Sequence, residues 1–357
     1  MKGLGRTLKA IIKYRNTDFR VSEVSVLPAD ISIEWADKTY TVVRVTKEGY
    51  TSFEALRVIS DFFKIDADKV RCEGLKDEDG VTDQAVSIEL LLSTRQIARS
   101  NVFKRNKHCW ITLALIGYSK VPVLERRLHG NTFIITLRNL RESEARSITY
   151  YVDSRPYFSF GNYYDNQRFG LPGGPYITHL IGRSIYLNDW AQSDYLYKKS
   201  GNCKLDFPDK SLDDVNIIDL DVRKLNFFLS AYSSYLWNKK LSNLFSGPYS
   251  LRIFDRFTVR CFEQEKILLE ALALKAPSYM LDSSFNLVES IMERDGIVRT
   301  KLFTGNVVED IYHKGKLSLD LHFFLPTGSY ATMLVKHLLL WVDVERKNLN
   351  IKGLHLH

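Results

Sequence analysis

The sequence lacks the features that mark metal-binding, nucleotide-binding and membrane-spanning proteins. Its four cysteines, Cys72, Cys109, Cys203 and Cys261, are too far apart for a Cys-x-x-Cys pair, and no His-Glu-x-x-His motif occurs. No Gly-x-Gly-x-x-Gly motif is present, and the glycine-rich residues 170–174 lack the Lys-Ser or Lys-Thr of a P-loop. These absences argue against a zinc site and a phosphate cradle.

Long apolar runs and a leader sequence are also missing. No apolar run reaches the roughly 20 residues that a membrane-spanning helix needs, and the charged N-terminal residues contain no long apolar core. Scattered single cysteines are typical of buried thiols in a reducing compartment. We therefore expect a cytoplasmic protein without a signal peptide or membrane segment.

The composition is that of a globular protein with a basic surface. Of its 357 residues, 45% are hydrophobic and 26% are charged, a length and composition that predict two or three domains with a real core. Lys and Arg number 50 against 42 acidic residues, so the net charge is +8. A basic surface attracts polyanions such as nucleic acid or an anionic membrane, but this excess is modest, and many basic proteins bind no nucleic acid.

Hydrophobic periodicity predicts an α+β fold for the first 140 residues. Strands are expected at 40–45, 86–92, 110–115 and 133–137. Thr51 or Ser52 can cap a helix whose apolar side chains recur at helical spacing, namely Phe53, Leu56, Ile59, Phe62 and Phe63. Asn131 is expected at a turn, and a further helix at about 142–152. Antiparallel strands mixed with packed helices are typical of α+β proteins.

The second half of the sequence has a different character. Residues 154–175 are crowded with Gly, Pro, Asn and aromatic side chains, which predicts a loop. Helices are then expected at 222–245 and 262–274, followed by a strand at 317–325 and a helix at 330–340. The last two elements resemble the N-terminal half, so we expect a discontinuous first domain with an insertion from about 172 to 310.

Three clusters could carry chemistry, and each has an ordinary structural alternative. The polar loop 73–84 contains Asp77, which a scaffold could present to a substrate, but Asp-Gly pairs are also common in surface turns. Residues 157–170 combine aromatic side chains with Arg168, which suits either base stacking or core packing between domains. Residues 130–133 alone are merely a turn into a strand.

Six segments, in order, resemble the TruD family of tRNA pseudouridine synthases. They are residues 18–23 (DFRVSE), 47–56 (KEGYTSFEAL), 74–84 (GLKDEDGVTDQ), 130–133 (GNTF), 162–170 (NYYDNQRFG) and 325–332 (LPTGSYAT). Each is weak alone, but their joint order makes chance improbable. Two departures from the family's pattern stand out. Gly80 replaces an alanine, which should loosen the loop, and Tyr164-Asp165 replaces Phe-Gly, which adds an acid beside a surface expected to face RNA.

The resemblance implies a pseudouridine synthase fold with a mixed, mainly antiparallel sheet. It implies a catalytic domain formed by residues 1–171 and 311–357, with residues 172–310 as an inserted TRUD-type domain. The expected activity is isomerisation of uridine, usually uridine 13, in tRNA by a monomer without a metal or an organic cofactor. The alternatives are a non-catalytic RNA-binding module of the same fold and a synthase that acts on another RNA.

The resemblance also implies roles for individual residues. Asp77 would be the catalytic carboxylate, acting as a nucleophile at C1′ or as a base at C2′ of the ribose. Lys13 would be the supporting basic residue, with Arg15 as a competitor for that role. Other residues would bind the substrate or shape its site, by lining the pocket, stacking on the base or fixing a hinge loop: Phe19, Asn131, Phe133, Tyr164, Gln167, Arg168 and Phe169.

Overall fold

The structure is a computed structural model that describes most of the chain. The described residues are 10–74, 76, 78–100, 104–106, 108–123, 128–171, 174–255, 257–262 and 273–354. They fall into two compact units. Within the described residues, the first unit covers 10–158 and 300–328, and the second covers 159–299 and 329–354. The sequence predicts different limits, with residues 172–310 inserted into a domain formed by residues 1–171 and 311–357. Those limits stay a prediction.

Strands dominate the first unit and helices the second. The strands in the described residues are β1 (Phe19–Ser25), β2 (Tyr40–Glu48), β3 (Val70–Cys72), β4 (Val81–Ile88), β5 (Lys104–Asn106), β6 (Cys109–Ser119), β7 (Leu128–Leu140), β8 (Tyr157–Gly161), β9 (Ser250–Phe254), β10 (Phe257–Arg260), β11 (Leu274–Leu281), β12 (Leu287–Arg294), β13 (Ile297–Glu309) and β14 (Leu317–Pro326). The helices are α1 (Ser52–Phe63), α2 (Thr94–Ser100), α3 (Glu142–Ser154), α4 (Thr178–Tyr186), α5 (Trp190–Ser200), α6 (Asn202–Asp206), α7 (Val222–Leu244) and α8 (Ala331–Leu354). None of these helices is long and apolar enough to span a membrane.

A single mixed sheet organises the first unit. Its strand order is β5-β6-β2-β4-β1-β7-β14-β13-β8, and β3 also pairs with β4. Antiparallel pairing joins β7 to β1 and β14, β2 to β4 and β6, and β13 to β14, whereas β1 and β4 run parallel. The prediction of an α+β fold with a mixed, mainly antiparallel sheet is confirmed.

Alternating burial fixes which face of each strand points inward. In β14, Leu321, Phe323 and Leu325 are buried, whereas His322 and Phe324 between them point to the other face. In β1, Phe19, Val21 and Glu23 share the buried face. Because paired residues on neighbouring strands lie on the same face, register carries this alternation across the sheet.

The helix predicted after residue 51 begins where its capping chemistry lies. Thr51 is the N-cap, and its hydroxyl accepts from the backbone N–H of Glu54 (3.2 Å), whose carboxylate accepts from the N–H of Thr51 (2.8 Å). Ile59 is fully buried, but Phe53 is 68% exposed. The helix predicted from this spacing is confirmed, although Phe53 and Phe62 lie on its exposed side.

Several predictions for the second half need correction. Residues 154–175 are not all loop, because β8 forms where Phe158 and Phe160 can be buried. The helix expected at 262–274 fails at its described end, since Leu274 begins a strand, and residues 263–272 lie outside the described residues. Two hairpins, β9–β10 and β11–β12, were not anticipated. Helix α7 was predicted correctly and packs against α4 around Leu225, Phe228 and Leu229.

Candidate active site

The loop between β3 and β4 is tied to the sheet through Lys76. The backbone N–H of Lys76 donates to the hydroxyl of Ser52 (2.7 Å), and its ammonium group pairs with the carboxylate of Glu23 (Nζ to Oε2, 2.6 Å). The side chains of Lys76 and Glu23 are only 7% and 0% exposed. Separating such a pair would leave a buried charge without compensation, so the contact fixes Lys76 against β1.

Asp77, the expected catalytic carboxylate, lies outside the described residues, but its neighbour Lys76 does not. The carbonyl of Lys76 accepts from the ammonium group of Lys47 (3.4 Å), which also donates to the carbonyl of Tyr50 (2.6 Å). The N–H, the carbonyl and the side chain of Lys76 thus all have partners. Lys76, the residue that precedes Asp77, is therefore held in place through both its backbone and its side chain.

Gln84 extends this polar network beneath the loop. The hydroxyl of Ser52 donates to the side-chain carbonyl of Gln84 (3.2 Å), whose amide nitrogen donates to the carbonyl of Gly74 (3.0 Å). All of these side chains are buried, and they satisfy one another's hydrogen bonds. The segments 18–23, 47–56 and 74–84, which are far apart in sequence, therefore meet at one place.

An aromatic wall lies on the same face of the sheet and consists of Phe19, Phe133 and Phe323. The ring centroids of Phe19 and Phe133 are 6.0 Å apart in an edge-to-face arrangement, and Phe133 stacks on Phe323 at 5.4 Å. The ammonium group of Lys13 lies 4.3 Å from the centre of the Phe19 ring. Three of the expected site residues, Lys13, Phe19 and Phe133, are thus brought together.

Arg15, the competitor of Lys13, is engaged elsewhere. Its guanidinium group donates to the hydroxyl of Tyr312 (2.6 Å) and to the imidazole of His108 (Nε2, 3.1 Å). Its backbone N–H donates to the carboxylate of Asp18 (3.0 Å). These contacts favour Lys13 over Arg15 as the basic residue beside the aromatic wall.

Asn131 lies within β7 and not at a turn, which corrects the expectation from the sequence. It is paired in register with Glu23 on β1 and with Leu325 on β14. The buried Oδ1 of Asn131 and Oε1 of Glu23 have no hydrogen-bond partner among the residues that the structure describes. A bond from Asn131 to the loop at Asp77 stays a prediction. Two neighbouring acceptor oxygens on one face are suited to bind donors of a ligand.

Two glycines allow close backbone packing around this site. A Cβ atom on Gly80 would lie 2.7 Å from the carbonyl oxygen of Phe19, and one on Gly130 would lie 2.1 Å from that of Leu325. The sequence predicts that Gly80 loosens the loop. In the structure, the absence of a side chain at Gly80 instead lets the start of β4 pack closely against β1.

In the second unit, Tyr164 lies beside a half-buried arginine. The guanidinium carbon of Arg294 is 4.2 Å from the centre of the Tyr164 ring, and the Tyr330 ring packs against Tyr164 at 5.6 Å. Arg294 donates to the side-chain carbonyl of Asn162 (3.0 Å). Burial lowers the pKa of the Arg294 guanidinium. The side chain of Asn238 holds the backbone of Tyr164 by two hydrogen bonds of 2.9 Å.

Gln167, Arg168 and Phe169, farther along the same segment, have different surroundings. Arg168 donates to the hydroxyls of Ser230 and Ser234 on α7, the latter at 3.2 Å. Phe169 is fully buried and packs against Phe254 at 5.0 Å. Gln167 is exposed. Arg168 and Phe169 therefore anchor this segment inside the second unit, whereas the side chain of Gln167 is exposed to solvent.

Asp165 does not present a free acid, contrary to what its place in the sequence suggested. Its carboxylate pairs with the ammonium group of Lys336 on α8 and accepts from the backbone N–H of Asn166 (2.8 Å). The Asp165 side chain is 2% exposed. The charge is compensated within the unit, so this departure from the family's pattern adds an internal anchor.

Glu23, Lys47 and Phe323 were not identified as site residues from the sequence. Glu23 could have been noticed because a carboxylate continues the buried alternation of Phe19 and Val21. Lys47 likewise occupies an inward position of β2. Phe323 had no comparable signal, because only the pairing of β14 with β7 places it on Phe133.

Comparison with known proteins agrees with this arrangement of motifs. The family model of tRNA pseudouridine synthase D (TruD) matches residues 4–202. A tRNA pseudouridine synthase D of Leptospira interrogans is 25% identical over 405 aligned residues, which cover 92% of this chain and 96% of that protein. The human Pseudouridylate synthase 7 homolog is 28% identical over 146 residues, which cover 41% of this chain and 21% of that protein.

A solved structure shares the fold. It is described as that of a candidate tRNA pseudouridine synthase D (TruD) from Methanosarcina mazei, and it superposes with a TM-score of 0.59 over 94% of both chains. At 19% identity this likeness concerns the fold alone.

Proposed function

Because the chain belongs to the tRNA pseudouridine synthase D (TruD) family, we propose that it isomerises uridine 13 of tRNA with Asp77 as the catalytic carboxylate. The observation that carries the assignment is the anchoring of Lys76 by Glu23, Ser52 and Lys47. A carboxylate that follows such a residue starts from a fixed backbone, as a group that must meet one ribose carbon requires.

The reaction requires an ionised carboxylate and a uridine that has left its base stack. The bond between N1 of uracil and C1′ of ribose breaks, the base turns, C5 bonds to C1′, and the proton on C5 is released while N1 gains one. Asp77 attacks C1′ or removes a proton from C2′, and either role needs its negative charge. Unstacking the uridine costs a few kcal/mol, which contacts in the site must offset.

Residues of the first unit supply those contacts in this proposal. Lys13 is the supporting cation, and Phe19 and Phe133 form the apolar surface for the base. Phe133 is only 7% exposed, so a base reaches the part of the ring that Phe19 and Phe323 leave open. The acceptor oxygens of Asn131 and Glu23, which have no hydrogen-bond partner among the described residues, receive donors of the bound nucleoside.

Residues of the second unit hold or contact the RNA in the same proposal. Tyr164 and the exposed Gln167 contact the substrate, whereas Arg168 and Phe169 fix their segment by the bonds and packing described above. We further propose that residues 1–171 and 311–357 form the catalytic domain and that residues 172–310 form an inserted TRUD-type domain. Tyrosine and arginine are well suited to stacking on single-stranded bases.

The test uses purified protein and an unmodified tRNA transcript that contains uridine 13. Pseudouridine is mapped by carbodiimide labelling and primer extension, with Asp77→Asn beside the matched control Asp79→Asn, which changes an exposed carboxylate of the same loop. We expect a stop at uridine 13 with the wild type and with Asp79→Asn, and none with Asp77→Asn. The Asp77→Asn variant should bind tRNA as the wild type does.

Three outcomes would overturn parts of this proposal. Activity retained by Asp77→Asn would remove its catalytic role. A stop at another uridine would replace uridine 13 as the target. A wild type that binds tRNA without modifying any uridine would favour the binding-only alternative, in which Asp77 is dispensable.

A further inference from the structure

The sheet face opposite the aromatic wall carries an exposed group of aromatic and basic side chains. We call it the outer sheet face, and it is formed by Arg20, Thr132, Lys301, Phe303, His322 and Phe324. Alternation along β1, β7, β13 and β14 points these side chains away from Phe19, Phe133 and Phe323. All of them belong to the first unit.

Register places these side chains in two adjoining rows. Arg20 is paired with Ile134, Ile134 with His322, and His322 with Phe303. This row crosses three strand spacings, roughly 14 Å. In the second row Thr132 is paired with Phe324. Phe303 and Phe324 therefore lie on neighbouring strands one step apart, at a diagonal separation of about 7–8 Å.

Both phenylalanines are open to solvent although their neighbours are not. Phe303 is 50% exposed and Phe324 is 39% exposed, whereas Leu302 and Phe323 are 2% and 3% exposed. Apolar rings gathered on one exposed surface commonly mark an interaction site. Two rings on adjacent strands match the way in which sheet-type RNA-binding domains stack successive bases.

The charges on this face favour a polyanion. Arg20 and Lys301 are exposed cations, and the ammonium group of Lys301 lies 4.8 Å from the centre of the Phe303 ring. The carboxylates on the same face are engaged: Asp320 accepts from the hydroxyl of Thr136 (2.6 Å), and Asp83 pairs with Arg44 (3.1 Å). Among the described residues, neither Arg20 nor Lys301 forms an ion pair with a carboxylate, and such cations beside exposed rings suit phosphates and bases better than an apolar protein surface does.

We propose that the outer sheet face binds a single-stranded segment of RNA, with bases stacked on Phe303 and Phe324 and phosphates held by Arg20 and Lys301. This inference rests on the proposed function in one respect, namely that the protein binds RNA. The outer sheet face is separate from the active-site face of the same sheet, so it adds affinity without contributing groups to catalysis.

The test measures binding of an unmodified tRNA transcript and of a short oligouridylate by fluorescence anisotropy. The variants are the double change Phe303→Ala with Phe324→Ala, the double change Arg20→Gln with Lys301→Gln, and the stacking-competent Phe303→Trp with Phe324→Trp. The matched control is Phe53→Ala, which removes a ring from α1 that is 68% exposed. Thermal unfolding of each variant confirms that it is folded.

We expect the double alanine variant to raise the Kd for both RNAs about tenfold, because each stacked base contributes substantially to binding. The tryptophan variant should bind as the wild type does. The double glutamine variant should lower the slope of log Kd against log salt concentration by roughly 1.4, at about 0.7 per phosphate contact. Wild-type affinity in the double alanine variant, or an equal loss with Phe53→Ala, would overturn the proposal.

The turnover of the same proteins separates this inference from the proposed function. At saturating tRNA the double alanine variant should isomerise uridine within about twofold of the wild-type rate, with the loss confined to KM. If the wild type modified no uridine, the proposed function would fail, and a tenfold loss of RNA binding in the double alanine variant would still support the outer sheet face.

Discussion

The two units bury polar side chains in different ways. The first unit buries charge in pairs: Lys76 with Glu23, and Arg138 with Asp18 (2.6 Å) and Asp310 (3.2 Å). In the described part of the second unit, Asp165 and Lys336 form such a pair, but the imidazoles of His179 and His337 are also buried among aromatic and apolar side chains. Burial lowers the pKa of both His179 and His337 to about 4.

Buried ion pairs and buried imidazoles affect the two units differently. A buried ion pair contributes little net stability, but it is strongly unfavourable when one partner is missing, so it specifies one arrangement of distant segments. In the first unit such pairs tie the loop before Asp77 to β1 and the start of β1 to β7. A neutral buried imidazole acts as a packed ring, and its contribution depends on pH. The stability of the first unit should therefore be sensitive to the loss of one partner of a buried ion pair. The stability of the second unit should be sensitive to acid.

The largest expected effect comes from breaking the pair beneath the active-site loop. Lys76→Met leaves the Glu23 carboxylate buried without its cation, so the free energy of unfolding should fall by about 3–5 kcal/mol. Urea denaturation measures this change. The double variant Lys76→Met with Glu23→Gln should recover much of the stability while pseudouridine formation stays below wild type, because the loop has lost its anchor. Full recovery of activity would show that the pair has no positioning role.

Acid should distinguish the second unit. An imidazole has a pKa near 6.5 in the unfolded chain and about 4 when His179 is buried, so its stabilising effect is complete above pH 6.5 and is lost as the pH falls toward 4. We expect a loss of about 2 kcal/mol for this histidine by pH 5. Denaturation of His179→Phe at pH 7.5 and pH 5 should show a smaller loss than the wild type. The exposed His129→Gln should behave as the wild type, and a variant His179→Phe with unchanged acid sensitivity would contradict this account.

A smaller effect is expected where the backbone of the first unit packs closely. Gly80→Ala places a methyl group against the carbonyl of Phe19, so β4 or β1 must shift, at a cost of about 1–3 kcal/mol. Gly174→Ala, whose added carbon would have ordinary contacts of 3.4 Å or more, is the control in the second unit. Thermal denaturation compares the two. Equal effects would mean that the contact at Phe19 relaxes without strain.

The smallest effect on stability is expected at Lys13. Its contact with the Phe19 ring is that of a partly exposed cation, so Lys13→Met should cost about 0.5–1 kcal/mol. The rate of isomerisation should fall far more than the stability if Lys13 supports Asp77. Arg15→Met, which breaks contacts with Tyr312 and His108, is the comparison variant. A greater loss of rate with Arg15→Met would exchange the roles of the two residues.

The sequence predicted local elements well where one face alone is buried. Helix α1 with its Thr51 cap, β2, α3, α7 and β14 all follow from periodicity and capping chemistry. The hairpins of the second unit were missed because their strands lack that signal. In β12, for example, nearly every residue is exposed. Similarly, the Gly, Pro and aromatic content around residue 158 concealed β8, in which Phe160 is buried against the distant His337.

The sequence identified several residues of the candidate site, but not the contacts between them. The resemblance named Phe19, Asn131 and Phe133, but it could not show that Asn131 lies inside a strand opposite Glu23, because strand register is a long-range property. Nor could it show that Asp165 is neutralised by Lys336, a residue more than 150 positions away. Such pairings depend on the sheet order and on helix packing, which local patterns do not determine.

The position of β7 has a consequence for synthesis of the chain. This strand carries Asn131 and Phe133, and its partner on one side is β14, whose last residue is Pro326. At about 5–20 residues per second, a ribosome needs roughly 10–40 s to proceed from the end of β7 to the end of β14. During that time β7 is an unpaired edge, open to wrong pairing or to a chaperone. A nascent chain stalled before residue 317 should therefore be more susceptible to protease at β7 than one released after residue 326.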